Sequence, residues 1–130
     1  EKAADGRAAT SVKIAADLIA ASPNLRGVFA LDLMATGGVG QALVDSKKSD
    51  AIKAIGFDSD PKIAKLLQDG AFAGLVLQDP FEMGYDGIKI ALAASKGEQV
   101  PASIDTGAQL ITKANMDSPR ALELLNPKVR

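Results

Sequence analysis

The stretch "IKAIGFDSDPKIAKLLQDG", Ile52 to Gly70, decides how this chain folds. An apolar run, Ile55-Gly56-Phe57, stops on Asp58, and a second acid, Asp60, follows directly before Pro61. The run reads as a buried strand. Ile63, Leu66 and Leu67 then fall on one side of a short helix that Asp69-Gly70 closes. A strand turning directly into a helix is the unit of a parallel α/β layer. Two acids stand where one helix cap suffices, so the second needs its own explanation.

The same alternation extends in both directions. Ala8, Val12, Ala15, Ala16 and Ile19 mark one face of a helix from Arg7 to Ala21, ended by Ser22-Pro23-Asn24. "RGVFALD" is a short buried strand, and Leu33 to Ser46 reads as a helix. After the strand "AIKAIGFD" and the helix Pro61 to Gln68 comes a third strand, Ala73 to Gln78. Pro80 to Lys96 is a longer helix closed by Gly97, Ile104 to Lys113 a fourth strand, and "SPRALELL" a short terminal helix. Continuously apolar strands linked through helices predict an α/β fold, a parallel sheet with helices on both faces. A helix comes first with no strand before it, the order expected of the later part of a longer protein.

Composition limits the chemistry. The chain has 130 residues, 47% apolar and 24% charged, which fits one globular unit rather than a disordered segment. With 15 basic and 16 acidic side chains, a net charge of −1 and no basic run, nothing points to nucleic acid as a partner. Cysteine and histidine are absent, which removes Ser-His and Cys-His nucleophiles and thiolate or imidazole metal sites from this chain. No run of about 18 apolar residues is present to span a bilayer. No cofactor is implied.

Ligands of open parallel sheets bind beyond the carboxyl ends of the strands. Three strands end there on hydrogen-bonding side chains, at Asp32, Asp58 and Gln78-Asp79. Helix capping is the simpler explanation, since Asp is a favoured N-cap and Pro prefers the first helical position after it. Asp60-Pro61, Asp79-Pro80 and Ser118-Pro119 fill both slots. Capping therefore leaves Asp58 and Gln78 unused, while Asp32, followed directly by Leu33, can be either a cap or a ligand contact. Two carboxylates and an amide suit a polyol or sugar, each charged hydrogen bond contributing about 1.5–3 kcal/mol.

Weaker signals have simpler readings. "TGGVGQA", Thr36 to Ala42, lacks the GxGxxG and GxxxxGK[ST] spacings, and its glycines fit close helix packing better than a phosphate loop. "DLMAT", Asp32 to Thr36, is a partial match to a phosphatase aspartate loop, but Met34 stands where the second Asp belongs. Phe81 and Tyr85, four apart on one helix, fit a packed pair, or a platform for a sugar ring. Lys47-Lys48 fits a solvated turn.

"NLRGVFALD", "AIGFDSDPKIAKLLQDGAFAGLVLQDPFEMGYDGIKIAL" and "KGEQVPASIDTGAQLITKANMD", in this order and spacing, resemble the carboxy-terminal part of type I periplasmic sugar-binding proteins. These are the ribose-binding-like solute receptors of ABC importers. The resemblance implies two α/β lobes that close on a sugar, and it selects Asp58, Asp32 and Gln78 as ligand-binding residues. Asp32 stands where Asn is commoner, which exchanges a donor-acceptor for an acceptor. Arg7 is the candidate for the arginine usual just before the first helix.

By the same resemblance, residues 1–78 belong to the carboxy-terminal lobe. Residues 79–103 form a crossover helix that packs on the amino-terminal lobe, and residues 104–130 a return strand and tail. The implied partners are a small-molecule sugar, the membrane permease of an ABC importer, and a missing amino-terminal part or a second copy. The implied location is periplasmic or extracytoplasmic, with no enzymatic activity. Two rivals share some of these residues: the effector-binding core of a LacI-type regulator, and a metal-dependent phosphotransfer enzyme using Asp32 and Asp58.

Overall fold

A computed structural model describes residues 8–125. Nine elements follow one another: α1 (Ala8–Ala21), β1 (Gly27–Phe29), α2 (Leu33–Asp45), β2 (Lys53–Phe57), α3 (Pro61–Gln68), β3 (Gly74–Leu77), α4 (Pro80–Ser95), β4 (Gln109–Ile111) and α5 (Pro119–Leu125). Their order is the one expected from the sequence. The helices lie close to their expected bounds because their end signals are local. Asp60 and Asp79 cap α3 and α4, and a proline follows each at the first helical position. Gly70 and Gly97 close the same helices with positive φ of 88° and 77°. Lys47, also at positive φ, ends α2 in the tight turn expected for the Lys47-Lys48 pair, with the Lys48 N–H donating to the Leu43 carbonyl.

The four strands lie side by side in the order β1-β2-β3-β4. β1, β2 and β3 are parallel, with Val28 beside Ala54 and Gly56 beside Leu75. Two features depart from the expected sheet. β4 runs antiparallel to β3, pairing Leu75 with Ile111, and it is shorter than the expected Ile104 to Lys113. A parallel neighbour requires a helix laid back across the sheet to carry the chain to the strands' amino ends. α4 buries none of its residues and provides no such return, so the chain re-enters from the carboxyl side.

The second departure concerns the layers. Strands stepping one way through right-handed crossovers place their linking helices on one face. α2 and α3 accordingly share the face that carries Ala54, Leu75, Leu77 and Ile111, all buried with Leu43 and Leu67 in one core. α5 adds Ala121 and Leu124 to that core. On the opposite face Phe29 is 54% and Leu110 50% exposed, so among the described residues helices cover one face rather than the expected two.

α2 is the element on which the others rest. Gly38 lets α1 approach it so closely that a Cβ there would collide with Ser11, and Gly40 leaves room for Leu66 and Phe72. Gly38 and Gly40 of "TGGVGQA" thus serve packing, as their spacing predicts, whereas a Cβ on Gly37 would meet nothing within 4 Å. Against the sheet, a Cβ on Gly56 would overlap the Thr36 methyl and lie 2.7 Å from Leu75 Cδ2. Neither neighbour can move freely, because Thr36 and Leu75 are both fully buried. Gly56→Ala is expected to destabilise the protein by about 1–3 kcal/mol, the usual cost of overpacking, read as a lower urea midpoint.

Candidate functional site

β1, β2 and β3 end side by side, and the polar residues named from the sequence follow their last turns. The Asp58 N–H donates to the Val76 carbonyl at 2.9 Å, so β2 stays paired with β3 up to the acid itself. Phe57 pairs with Val76, which sets Asp58 level with Leu77 and one residue short of Gln78. Asp32 lies close enough to Asp58 for its charge to act on it. The sheet therefore gathers Asp32, Asp58 and Gln78 at one edge. Arg7 lies outside the described residues.

Capping divides these acids much as the sequence predicts. Asp60 Oδ1 accepts from the Lys62 and Ile63 N–H groups, each at 2.8 Å, and Asp79 Oδ1 accepts from Phe81 and Glu82 at 3.1 Å. Asp32 caps α2 with Oδ1, which accepts from the Ala35 N–H at 2.7 Å. Its Oδ2 has no hydrogen-bond partner among the described residues, so the cap engages only half of the carboxylate. The half-buried side chains of Asp58 and Gln78 likewise have no partner there. They are polar groups at the carboxyl ends of their strands whose hydrogen-bonding capacity the described residues do not use.

Asp58 is held at some cost. Its φ of 61° lies in the left-handed region, which Asp tolerates better than most residues but which still carries strain. Partial burial, and secondarily the charge of Asp32, push its carboxyl above the ordinary range. Asp79 shows the opposite behaviour. The Glu82 N–H and then the Arg120 guanidinium, 2.7 Å from Oδ2, lower its pKa and tie the start of α4 to α5.

Thr36 is the residue the sequence did not single out. Its hydroxyl donates to the Phe57 carbonyl and accepts from the Phe57 N–H, both at 2.8 Å, one residue before Asp58. A threonine inside a glycine-rich helix gives no sign of this, because its partner lies 21 residues away. Phe81 and Tyr85 stack with their ring centroids 6.2 Å apart, as their spacing predicts, with Lys89 over the Tyr85 ring. The groove between α1 and the end of α2, lined by Val12, Ile19, Pro23 and Lys48, is at the other end of α2 from this site.

The raised pKa of Asp58 has a consequence for stability. The folded form holds its proton more tightly than the unfolded chain, so Asp58 favours folding as pH falls and opposes it once ionised. Asp79, with its lowered pKa, contributes in the opposite sense, losing its contribution as pH falls. Asp58→Asn tolerates the same backbone and removes the charge. It is expected to raise ligand-free stability near neutral pH, and its advantage over the parent should shrink as pH falls through the raised Asp58 pKa, measured as urea unfolding over a pH series.

Comparison with known proteins agrees with this architecture. A family profile described as "Periplasmic binding protein domain" matches residues 1–99. The ribose import binding protein RbsB of Escherichia coli (strain K12) is 36% identical over 98 residues, 75% of this chain and 32% of that protein. A carbohydrate transporter solute binding protein from Agrobacterium radiobacter, solved in complex with D-arabinose, superposes with a TM-score of 0.88 at 58% identity, covering 95% of this chain and 42% of its own. An ABC transporter solute binding protein from Agrobacterium vitis, bound with alpha-D-tagatopyranose, superposes with a TM-score of 0.90 at 27% identity over 98% of this chain and 43% of its own. The chain thus spans 32% of the curated relative and less than half of each solved one. With the matched profile and the shared α/β core, the chain belongs to the periplasmic binding protein domain family, and its fold is part of the type I sugar-binding form.

Proposed function

We propose that this chain is the carboxy-terminal part of a solute receptor that binds a monosaccharide outside the cytoplasm and delivers it to the permease of an ABC importer, without catalysing a reaction. The observation that carries this reading is the grouping of Asp58, Asp32 Oδ2 and Gln78 at one sheet edge with no partner among the described residues. Hydroxyl groups of a sugar ring donate to both carboxylates, and the Gln78 amide both accepts and donates. The D-arabinose and alpha-D-tagatopyranose held by two similar receptors support a monosaccharide as the ligand class. Arg7 is retained as a further contact.

Residues 1–78 supply one wall of the cleft. Residues 79–103 lead through the crossover beside Gln78 to the opposite lobe, and residues 104–130 return. Along α4, Phe81, Tyr85, Ile88 and Leu92 lie on one side and are 45–73% exposed, the apolar stripe expected of a helix that packs on the other lobe. The bare sheet face around Phe29 and Leu110 needs cover from the rest of the same protein. Closure by rotation at the crossovers would bury the sugar between the lobes.

In the full-length receptor, Asp58→Asn is expected to weaken sugar binding at least about tenfold, the effect of losing a charged hydrogen bond. Calorimetry against a panel of pentoses and hexoses reads this, and an unchanged affinity would refute the assignment. Binding by the parent should also weaken as pH falls through the raised Asp58 pKa, since the protonated carboxyl loses acceptor strength. The 130-residue chain alone should bind a hydrophobic dye strongly while the full-length receptor does not. Equal dye binding by the two would count against residues 79–103 packing on another lobe.

A further inference from the structure

The β1–β2 ladder runs from the Lys53 N–H donating to the Arg26 carbonyl, up to the Ala30 N–H donating to the Ile55 carbonyl. Continued by one step, a regular parallel ladder would send the Phe57 N–H to the Ala30 carbonyl and bring the Asp32 N–H to the Phe57 carbonyl. Neither bond forms, because the chain leaves the sheet after Ala30 so that α2 can start at Asp32. The Thr36 hydroxyl takes both places, accepting from the Phe57 N–H and donating to the Phe57 carbonyl. One side chain on α2 thus stands in for the next two rungs of β1.

This substitution lies where it matters for the site. Phe57 is gripped by Thr36 on one side, and Asp58 is held by Val76 on the other. The left-handed turn at Asp58 begins from that fixed point. Asp32 is four residues before Thr36 on the same helix start, and the Thr36 N–H donates to the Asp32 carbonyl at 2.9 Å. A single residue therefore references both acids to one frame. Thr36 is itself fully buried and cannot touch a ligand in the cleft.

We propose that Thr36 is a positioning residue for sugar binding. Its hydroxyl holds the end of β2 so that the Asp58 carboxylate is presented to the ligand at a set distance from Asp32. This rests on the reading of Asp58 as a ligand contact. The hydroxyl, rather than the bulk of the side chain, is what the role requires.

The test uses the full-length receptor with three substitutions at Thr36. Thr36→Ser keeps the hydroxyl and loses the methyl that fills the space over Gly56. Thr36→Val keeps the shape and loses the hydroxyl, and Thr36→Ala serves as the smaller hydroxyl-free variant should valine not fold. Calorimetric affinity for the bound sugar, well below each melting temperature, is expected to stay within about twofold of the parent for serine and to fall about tenfold for valine or alanine, the effect of one misaligned hydrogen bond. Amide exchange at Phe57 and Asp58 should quicken only in the hydroxyl-free variants. Combined with Asp58→Asn, Thr36→Val should add little further loss, because both act through one carboxylate. Wild-type affinity in the hydroxyl-free variant, equal losses in serine and valine, or fully additive losses would each overturn the proposal. If Asp58→Asn leaves affinity unchanged, the site reading falls and this inference falls with it. If Asp58→Asn weakens binding and Thr36→Val does not, only this inference falls.

Discussion

The close seating of α2 on β2 governs the rest of the molecule. Gly56 has no side chain because the Thr36 methyl occupies the space its Cβ would take, and Leu75 closes the same space from β3. α2 also receives α1 at Gly38 and meets Leu66 of α3 and Phe72 at Gly40. Close packing of this kind transmits position, because buried side chains at interior density cannot shift independently. The carboxyl ends of β1 and β2, and the acids that follow them, are placed by the helix on which the sheet rests.

At those ends, three ways of treating a carboxylate stand within a short distance. Asp79 caps α4, pairs with Arg120 and is lowered in pKa, and it joins α4 to α5. Asp60 spends one oxygen on two backbone N–H groups and ends a strand-to-helix turn. Asp58 has a left-handed backbone, a raised pKa and no side-chain partner among the described residues. The first two stabilise the fold locally. The third disfavours it slightly, and strain of this kind persists where the surrounding structure over-determines it, which is a common property of ligand sites.

The exposed apolar surfaces follow from the same topology. Right-handed steps from β1 to β3 put α2 and α3 on one side, and no described helix covers Phe29 or Leu110 on the other. α4 leaves the sheet edge with an apolar stripe exposed, and the antiparallel β4 is the trace of its return. Solved relatives more than twice as long as the matched region accommodate the same core.

The order of elements, the caps at Asp60 and Asp79, the glycine closures and the freedom of Asp58 and Gln78 from capping were all legible in the sequence. Each depends on contacts within a few residues, where propensity, periodicity and Pro or Gly placement act directly. Asp32 stayed undecided there, because one carboxylate can cap a helix and still offer its second oxygen. The direction of β4, the covering of one sheet face, the left-handed turn at Asp58 and the grip of Thr36 on Phe57 were decided only in three dimensions. These join residues far apart in the chain, and their geometry follows from how whole elements pack, which no local pattern of residue types encodes.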